Sequence, residues 1–384
     1  MFETFGLYVH IPYCRTKCPY CDFNVEAAAT WPEARYVDAL IAELQLHASA
    51  PPFGGKRLAT IFLGGGTPSL FAAESIARLL DQARRAFAVE TTVEISLEAT
   101  PESVGVAKLA GYRRAGVNRL SFGIESFHPH VLKRLGRLQT AAETRLAVAM
   151  AREAGFANVS LDLMFAVPGQ SVADWRADLD TAISYAPEHI SAYNLTYEEG
   201  TPFFDLKRAG RLDPLEDEIE ATMFEEARSR LGNAGYRAYE VSNFARPGFE
   251  ARHNRNYWHA GPYLGIGAGA HSHEPRGSCA RRWSNEKDPA LYASRALRSG
   301  GAVVRQETLG PRKTAGEFVF LHLRTSEGVG EEAFRARFGS PLEETFPEVE
   351  QLLGDGLLER HADRRLALSP RGLLLADSVF ATFV

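Results

Sequence analysis

The sequence predicts an α/β fold in which a parallel sheet curves into a wide or incomplete barrel and is followed by a smaller domain. Six strand-then-helix units follow one another between residues 7 and 195, and such a series forms a parallel sheet with right-handed crossovers. The strands alternate apolar and polar residues, which gives the sheet one face under helices and one polar face. A closed eight-stranded barrel packs its interior with branched apolar side chains, so a polar interior indicates a wider or open barrel around a ligand.

The individual elements follow from the spacing of apolar residues. A first strand is predicted at residues 7–11, and Thr30 with Glu33 forms a capping box before a helix with an apolar stripe from Val37 to Ala48. Further strands are predicted at residues 59–63, 93–97, 119–122, 159–163 and 189–195. Helices are predicted between them at residues 74–87, 102–115, 141–154 and 174–185.

The polar face is clearest in the third, fourth and fifth strands. It carries Glu94, Ser96, Glu98, Arg119, Ser121, Ser160 and Asp162. A solvent-facing antiparallel sheet would show the same alternation, but the intervening helices favour parallel strands.

Composition and charge exclude several classes of protein. The 384 residues carry a formal net charge of −5, so no overall basic field favours nucleic acid. Four cysteines, three of them in one stretch, do not make a disulfide framework, and reduced thiols fit the cytoplasm. The chain opens on a strand without a signal-peptide pattern, and no apolar run has transmembrane length. We expect a cytoplasmic protein with at most peripheral membrane contact.

Cys14, Cys18 and Cys21 lie in one short loop after the first strand. Thiols gathered this tightly bind metal or redox centres more often than they build cores. A zinc site would need a fourth ligand, for which His10 is the candidate, and a disulfide loop is the other alternative. An iron–sulfur cubane held by three thiolates leaves one iron open, and the loop favours such a cluster.

The spacing C-x-x-x-C-x-x-C after a first strand resembles the cluster motif of the radical S-adenosylmethionine (SAM) superfamily. The flanking sequences YVHIPYC and CPYCDF are similar to those of the oxygen-independent coproporphyrinogen III oxidase group, and within it to its heme chaperones. The resemblance implies a partial (βα)6 TIM-like barrel, a [4Fe–4S] cluster on Cys14, Cys18 and Cys21, and SAM chelated at the open iron.

The resemblance also implies SAM contacts at the ends of the strands. Residues 64–68 read GGGTP and resemble a family segment, although a glycine run after a strand is often only a turn. Glu125 stands where a glutamine is usual, and Ala166 where a glycine is usual. The polar residues could instead form an internal ion-pair network. The implied cofactor contacts are Tyr8, Gly65, Gly66, Thr67, Glu98, Glu125, Arg137 and Asp162.

Two features separate the enzymes of this group from its chaperones: a further cysteine and an N-terminal arm. Phe23 stands where the coproporphyrinogen dehydrogenases carry a further cysteine, and the N-terminal arm of those enzymes is absent before the first strand. The resemblance therefore implies that dehydrogenase activity is lacking, and we assign no catalytic residue.

Residues 253–258 read HNRNYW and match a heme-chaperone signature in which the histidine is implicated in heme binding. A histidine beside flat aromatic groups is a plausible axial ligand for heme iron. On spacing alone, His253 would more often be a core or capping histidine. His259, His271, His273 and Cys279 are weaker candidates.

The alternation of strands and helices gives way to a series of short helices beyond residue 311. Short helices are predicted at residues 314–323, 331–338 and 342–353, then a hairpin at 357–368 and a last helix at 370–383. We therefore divide the chain into a partial barrel (1–235), a connecting segment with the HNRNYW motif (236–310) and a small winged-helix-like α+β domain (311–384). Acidic residues on a candidate helix argue against DNA and favour a lid or docking surface: Glu343, Glu344, Glu348 and Glu350.

The leading hypothesis is a heme chaperone that binds the cluster, SAM and heme and transfers heme to acceptor proteins, expected to be respiratory hemoproteins. The alternative is an enzyme that makes protoporphyrinogen IX by radical decarboxylation of coproporphyrinogen III, with the cofactor performing the difficult step. Nucleic acid is not an expected partner. The sequence leaves a monomer and a homodimer open.

Overall fold

A twelve-stranded sheet is the frame of the structure, a computed structural model that describes residues 2–384. The strands are β1 Thr4–Ile11, β2 Tyr13–Cys14, β3 Glu26–Ala27, β4 Arg57–Gly65, β5 Ala88–Ala99, β6 Arg119–Glu125, β7 Val159–Phe165, β8 His189–Asn194, β9 Arg237–Ala238, β10 Asn243–Ala245, β11 Tyr263–Ile266, β12 His271–Arg276, β13 Cys279–Asn285, β14 Val303–Leu309, β15 Val329–Gly330, β16 Leu358–Arg360 and β17 Arg365–Leu368.

Helices cover the outer face of this sheet and build the C-terminal part. They are α1 Glu33–Ala48, α2 Ala73–Ala86, α3 Val106–Ala115, α4 Pro129–Arg134, α5 Ala141–Glu153, α6 Val172–Ser184, α7 Pro202–Arg208, α8 Asp217–Asn233, α9 Arg252–Trp258, α10 Pro289–Ser299, α11 Pro311–Leu323, α12 Glu331–Phe338, α13 Leu342–Thr345, α14 Glu348–Gly354, α15 Pro370–Leu374 and α16 Ala376–Ala381.

Six strands of the sheet are parallel and adjacent in chain order: β1, β4, β5, β6, β7 and β8. The order of the whole sheet is β14-β13-β12-β11-β1-β4-β5-β6-β7-β8-β10-β9. Its two edge strands, β14 and β9, do not pair with each other, so the barrel is open. The predicted partial barrel is confirmed.

The two faces of the sheet follow the alternation in the sequence. On β1, Phe5, Leu7, Val9 and Ile11 are buried in the main hydrophobic core together with apolar residues of α1 and α2. The intervening residues point to the opposite face, where polar side chains bond across strands. Ser121 and Ser191, for example, both donate to Asp162, at 2.8 and 2.6 Å. The inner face of the sheet is therefore polar, as predicted.

Two of the helix starts that differ from the sequence predictions are those of α1 and α3. The capping box at Thr30 is wrong, because α1 begins after Pro32 without a side-chain cap. The Glu33 carboxylate instead accepts a hydrogen bond from the backbone N–H of Ala72, at 2.8 Å, and so joins α1 to the start of α2. The helix predicted from residue 102 begins at Val106, after one 3-10 turn at Pro101–Ser103.

The segment 236–310, expected to be a connection, adds six strands to the sheet. β11 pairs in parallel with β1, in the register Gly6↔Tyr263 to Val9↔Ile266. β12, β13 and β14 follow as antiparallel strands. At the other edge, β10 and β9 extend β8. The HNRNYW motif forms the short helix α9 between these two additions.

Glu43 of α1 ties the added strands to the barrel. Its carboxylate is buried and accepts hydrogen bonds from the backbone N–H of Gly267 at 3.0 Å, from Asn285 at 2.6 Å and from the Tyr292 hydroxyl at 2.6 Å. Burial raises the pKa of Glu43 to about 7, against the lowering effect of these donors.

The C-terminal part is a small α+β unit with its own hydrophobic cluster. The cluster centres on α11 and includes Phe318, Phe334 and Phe346, and a three-stranded antiparallel sheet in the order β15-β17-β16 lies beside it. Among the described residues, no helix is long and apolar enough to cross a membrane.

We expect Glu43→Ala to lower the free energy of unfolding by roughly 2–4 kcal/mol, because three buried donors lose their acceptor. The pKa of Glu43 is raised in the folded state from 4.5 to about 7, so its contribution is complete below pH 4.5 and is lost as the pH rises through about 7. In Glu43→Ala, the free energy of unfolding should therefore lack the decrease that the ionisation of Glu43 causes in the wild type.

Guanidinium unfolding between pH 5 and 8 measures both effects. Gln45→Ala, at an exposed position of the same helix, is the matched control and should unfold like the wild type. Equal stability of Glu43→Ala and Gln45→Ala would contradict the role given to Glu43.

Candidate functional site

The cysteine loop is fastened at both ends to the sheet. β2 and β3 pair in parallel and bracket the loop, with Cys14 opposite Ala27. The side chain of Asn24 donates to the backbone carbonyls of Ala268 and Lys287, at 3.0 and 2.9 Å, and so anchors the loop to the β11–β12 and β13–α10 connections. The loop is therefore held over the carboxyl ends of the parallel strands.

The three thiols of this loop are free and half-buried. Thr67 donates to Cys14 Sγ at 3.4 Å, and Arg137 Nη1 donates to Cys18 Sγ at 3.8 Å. Burial raises the pKa of Cys14 and raises that of Cys21 to about 11. A bound metal ion would instead lower the pKa of these thiols, because metal coordination deprotonates a thiol.

The arrangement does not suit a single zinc ion. Tetrahedral zinc with bonds of about 2.3 Å would place two thiolate sulfurs only about 3.8 Å apart. Within residues 2–384, a histidine, cysteine or carboxylate trio with all ligand atoms inside 4.8 Å occurs only at His128, His130 and Asp174. His10, the candidate fourth ligand, bonds the Tyr8 hydroxyl through Nδ1 and the Asn24 carbonyl through Nε2. In a cubane cluster, by contrast, each thiolate would bind a different iron, so the three sulfurs need not converge on one point.

The glycine run after β4 lets the backbone pass close to the cysteine loop. A Cβ at Gly66 would lie 2.7 Å from the carbonyl oxygen of Tyr13, and one at Gly65 would lie 2.6 Å from the His10 ring. Gly65 has φ +113°, which L side chains rarely adopt. Its N–H donates to Glu98 Oε2 at 3.0 Å. The run is thus more than a turn, because it orients a carboxylate at the neighbouring strand end.

Glu98 lies at the end of β5 inside the curve of the sheet. Burial raises its pKa to about 8, and the neighbouring carboxylate of Asp162 adds to the effect. Asp162, two strands along, accepts from Ser121 and Ser191, and burial raises its pKa as well.

Glu125 is the last residue of β6 and lies where the pairing of β6 with β7 is irregular. The register with β7 shifts between Gly123 and Glu125, and Glu125 has φ +61°, so the strand turns its last side chain inward. Arg137 Nη2 lies 3.6 Å from Glu125 Oε1 and donates to the Gly123 carbonyl at 2.9 Å. Burial raises the pKa of Glu125, with Arg137 acting in the opposite direction.

The thiols and these polar side chains surround one cavity of about 600 Å³, which we call the cysteine cavity. Of the residues predicted for the cluster and SAM, it is lined by Cys14, Cys18, Cys21, Gly65, Gly66, Thr67, Glu98, Glu125, Arg137 and Asp162. Burial raises the pKa of all three carboxyls more than the Arg119 and Arg137 guanidiniums of the same cavity lower it. A cationic ligand is what such a cavity stabilises.

A second space of about 750 Å³, which we call the aromatic cleft, lies between the sheet and the C-terminal part. Tyr8, also predicted as a cofactor contact, lines this cleft and not the cysteine cavity. The wall common to both spaces is formed by Lys17, Asp22, Phe23, Val25, Gly65 and Glu98. The remaining surface includes the aromatic rings of Tyr257, Trp258, Tyr263 and Phe320.

Two buried donors in the aromatic cleft have no partner among the described residues: Trp258 Nε1 and Arg337 Nη2. Buried polar groups are normally satisfied, and an unpaired donor costs about 1–3 kcal/mol. Both donors are shielded from solvent, so a ligand that carries acceptor oxygens, such as carboxylates, reaches them only if the two side chains move.

His253 does not line either space. Its side chain is fully buried, with Nδ1 bonded to Thr60 Oγ1 at 2.8 Å and Nε2 bonded to the Tyr257 hydroxyl at 2.8 Å. The ring stacks on Phe62 with centroids 5.2 Å apart. Burial lowers the pKa of His253 to about 3. With both nitrogens engaged, this ring does not fit the predicted role of axial ligand.

Two residues of these spaces were not singled out from the sequence. Arg119 is buried in the cysteine cavity, and its Nε has no partner among the described residues. Its charge lowers the pKa of Glu98 and Asp162. Its position on the polar face of the fourth strand was a sequence signal for this role. Arg337 comes from α12 of the C-terminal part, and no sequence pattern connects it with the cleft. His259 lies 3.8 Å from Glu327, away from both spaces.

Comparisons with known proteins agree with this architecture. A family model described as the radical SAM superfamily matches residues 8–182, and one described as the HemN C-terminal domain matches residues 311–375. The solved structure of coproporphyrinogen III oxidase (HemN) from Escherichia coli, a radical SAM enzyme, is similar with a TM-score of 0.83 and 25% identity, over 99% of this chain and 90% of that one.

Full-length relatives are more similar in sequence. The heme chaperone HemW of Mycobacterium tuberculosis (strain H37Rv) is 39% identical over 386 residues, which is 100% of this chain and 95% of the relative. HemW of Bacillus subtilis is 35% identical over 378 residues, with 98% of each chain covered. The radical SAM superfamily implies an iron–sulfur cluster and SAM. The chain belongs to the HemW family of this superfamily.

Proposed function

We propose that this protein is a heme chaperone that holds a [4Fe–4S] cluster and SAM in the cysteine cavity, holds heme in the aromatic cleft, and passes the heme to acceptor hemoproteins. One observation carries the proposal: two spaces share a wall, and their chemistry differs. One offers three thiols and buried carboxyls, and the other offers flat rings and unpaired buried donors. The full-length similarity to heme chaperones supports the heme part.

Cys14, Cys18 and Cys21 would hold the cluster, one thiolate on each of three irons. When bound, the cluster supplies electrons and one open iron. Thr67 and Arg137 donate to two of the sulfurs, and hydrogen bonds to cluster sulfurs are among the factors that set its reduction potential. Arg137 in addition reaches the Glu125 carboxylate, so it couples the cluster side of the cavity to the strand ends.

SAM carries a positively charged sulfonium and an amino group, and the carboxyls of Glu98, Glu125 and Asp162 are suited to them. Each of these carboxyls has a raised pKa because burial outweighs the lowering effect of Arg119 or Arg137. The exposed backbone of Gly65 and Gly66 permits close approach of the ligand. The role of Glu125 in place of a glutamine is then that of an acceptor only.

Heme would lie in the aromatic cleft with its rings against the aromatic side chains. Arg337 Nη2 and Trp258 Nε1, which are buried without a partner, would donate to propionate oxygens once their side chains turn toward the ligand. The cleft volume of about 750 Å³ lies inside the range of about 300–1,000 Å³ found for sites of small molecules and cofactors.

The second candidate is oxidation of coproporphyrinogen III. The fold similarity to HemN favours it, and the same unpaired donors would suit a substrate with carboxylates. Phe23, which lines both spaces and is 61% exposed, occupies the place of the cysteine expected in such enzymes. We therefore rank the chaperone first.

An anaerobic assay separates the two functions. After cluster reconstitution with SAM, we expect heme to bind with one-to-one stoichiometry and to move to an apo-hemoprotein, as followed by absorbance. Coproporphyrinogen III should not be converted. Sustained formation of protoporphyrinogen IX, analysed by chromatography, would overturn the chaperone assignment.

Cys18→Ala should lose the cluster, because two thiolates cannot replace three. Iron and acid-labile sulfide per chain are the measurement, and both should fall to near zero after anaerobic reconstitution. Cys279→Ala, which removes the fourth cysteine on β13, is the control and should keep its iron and sulfide. Equal loss in both variants would show that the loop is not the cluster site.

Above the pKa of Glu98, about 8, Glu98→Gln should weaken SAM binding about tenfold or more, because a hydrogen bond to a charged group contributes about 1.5–3 kcal/mol. The pKa of Glu98 is raised to about 8, so the carboxyl is mostly protonated at pH 7 and ionises as the pH rises through about 8. Wild-type affinity for the cationic ligand should therefore increase over that interval, beyond any change seen in the variant.

Equilibrium dialysis with radiolabelled SAM between pH 6.5 and 9 tests this expectation. Glu90→Gln, near the start of the same strand and paired with Arg252, serves as the control and should bind like the wild type. Identical pH profiles for wild type and Glu98→Gln would remove Glu98 from the SAM site.

A further inference from the structure

His273 offers the ligand atom that His253 lacks. The ring lies in the wall of the aromatic cleft on β12, and the residue is 7% exposed. Its Nδ1 bonds the backbone carbonyl of Gly261 at 2.9 Å, and Nε2 has no hydrogen-bond partner among residues 2–384. A carbonyl acceptor at Nδ1 requires that this nitrogen carries the proton, which leaves the lone pair on Nε2.

This arrangement is the one usual for metal-binding histidines. The hydrogen bond of the second ring nitrogen to a carbonyl or carboxylate fixes the tautomer and the ring orientation and raises the basicity of the ligand atom. Burial lowers the pKa of His273, so the ring is neutral at pH 7 and free to coordinate. Tyr263 packs beside it with ring centroids 5.9 Å apart.

The other histidines of the cleft are less suited. His10 has both nitrogens engaged, by Tyr8 and by the Asn24 carbonyl. His271, two residues before His273 on the same strand, is exposed and has no hydrogen bond that orients its ring within the described part of the chain. A ligand whose ring is already fixed loses less conformational freedom when it binds.

We propose that Nε2 of His273 is the protein ligand of heme iron in the aromatic cleft, and that His253 is a positioning residue. The inference rests on the proposed function and names the coordinating atom. His253 would act through its bond to Tyr257, which lies in the cleft wall next to Trp258, the neighbouring donor. The motif HNRNYW would thus reach heme through its last two side chains.

The test is a titration of each purified full-length variant with ferric heme, followed by absorbance, with iron coordination read by resonance Raman and electron paramagnetic resonance. We expect His273→Ala to lose the histidine–iron signature and to bind heme on the order of tenfold more weakly. Added imidazole should restore the signature, because it supplies the missing nitrogen. His271→Ala tests the neighbouring histidine of the cleft and should keep the signature. His259→Ala, at a histidine that lines neither space, is the control and should keep both affinity and signature.

His253→Gln addresses the alternative ligand. Glutamine retains a polar contact to Tyr257 but offers no imidazole nitrogen to iron, so the variant should keep the histidine–iron signature. If this variant or His271→Ala loses it while His273→Ala retains it, the assignment is wrong. If His273→Ala does not fold, as judged by circular dichroism, His273→Gln carries the same expectation.

The result for the wild type distinguishes the proposed chaperone function from the proposed iron ligand. If the wild type binds one heme per chain and no His273 variant changes the iron coordination, the assignment of His273 as ligand is wrong. The proposed chaperone function then remains in place. Failure of the wild type to bind heme at all overturns both.

Discussion

The structure depends on the burial of carboxyl groups where the parallel strands end. Glu98 and Asp162 are held inside an open barrel by neutral donors, among them the Gly65 N–H and two serine hydroxyls. These donors satisfy the lone pairs without supplying full positive charge, so the carboxyls retain raised pKa values. The guanidiniums of Arg119 and Arg137 offset only part of the cost of this burial, so the strand ends beside the cysteine loop are suited to a cationic ligand.

Much of this site could be predicted from the sequence because parallel strands bring their carboxyl ends to one edge. Alternation along the strands identified the inner face, and the predicted residues Gly65, Glu98, Glu125 and Asp162, from β4, β5, β6 and β7, all line the cysteine cavity. The segment 236–310 could not be placed in the same way. Its short strands pair with β1, β8 and one another, and the partners of an edge strand are determined by tertiary packing rather than by local pattern.

The histidine of the HNRNYW motif is buried, as its spacing alone predicted, whereas the heme-binding role was implied only by the resemblance. His253 and Tyr257 are four residues apart and meet on one face of α9, as the helical period requires. That face turns toward the sheet, where the backbone N–H of His253 and that of Arg252 donate to the buried Glu94 carboxylate. The packing that fixes the helix therefore also encloses the ring. An orienting bond to a backbone carbonyl, the feature that marks His273, has no signature in a sequence.

The two spaces are separated by a single layer of side chains, and this proximity has a physical consequence. Tyr8 lines the aromatic cleft, and its phenol pKa is raised by burial and by the neighbouring Glu98, which also lines the cysteine cavity. A cation that ionises Glu98 from one side changes the potential felt by a ligand on the other side. Since coupling between two sites must act equally in both directions, occupancy of the cleft would in turn alter the affinity of the cavity for its cationic ligand. Coupling of this kind would let the release of heme from the cleft respond to the state of the cysteine cavity.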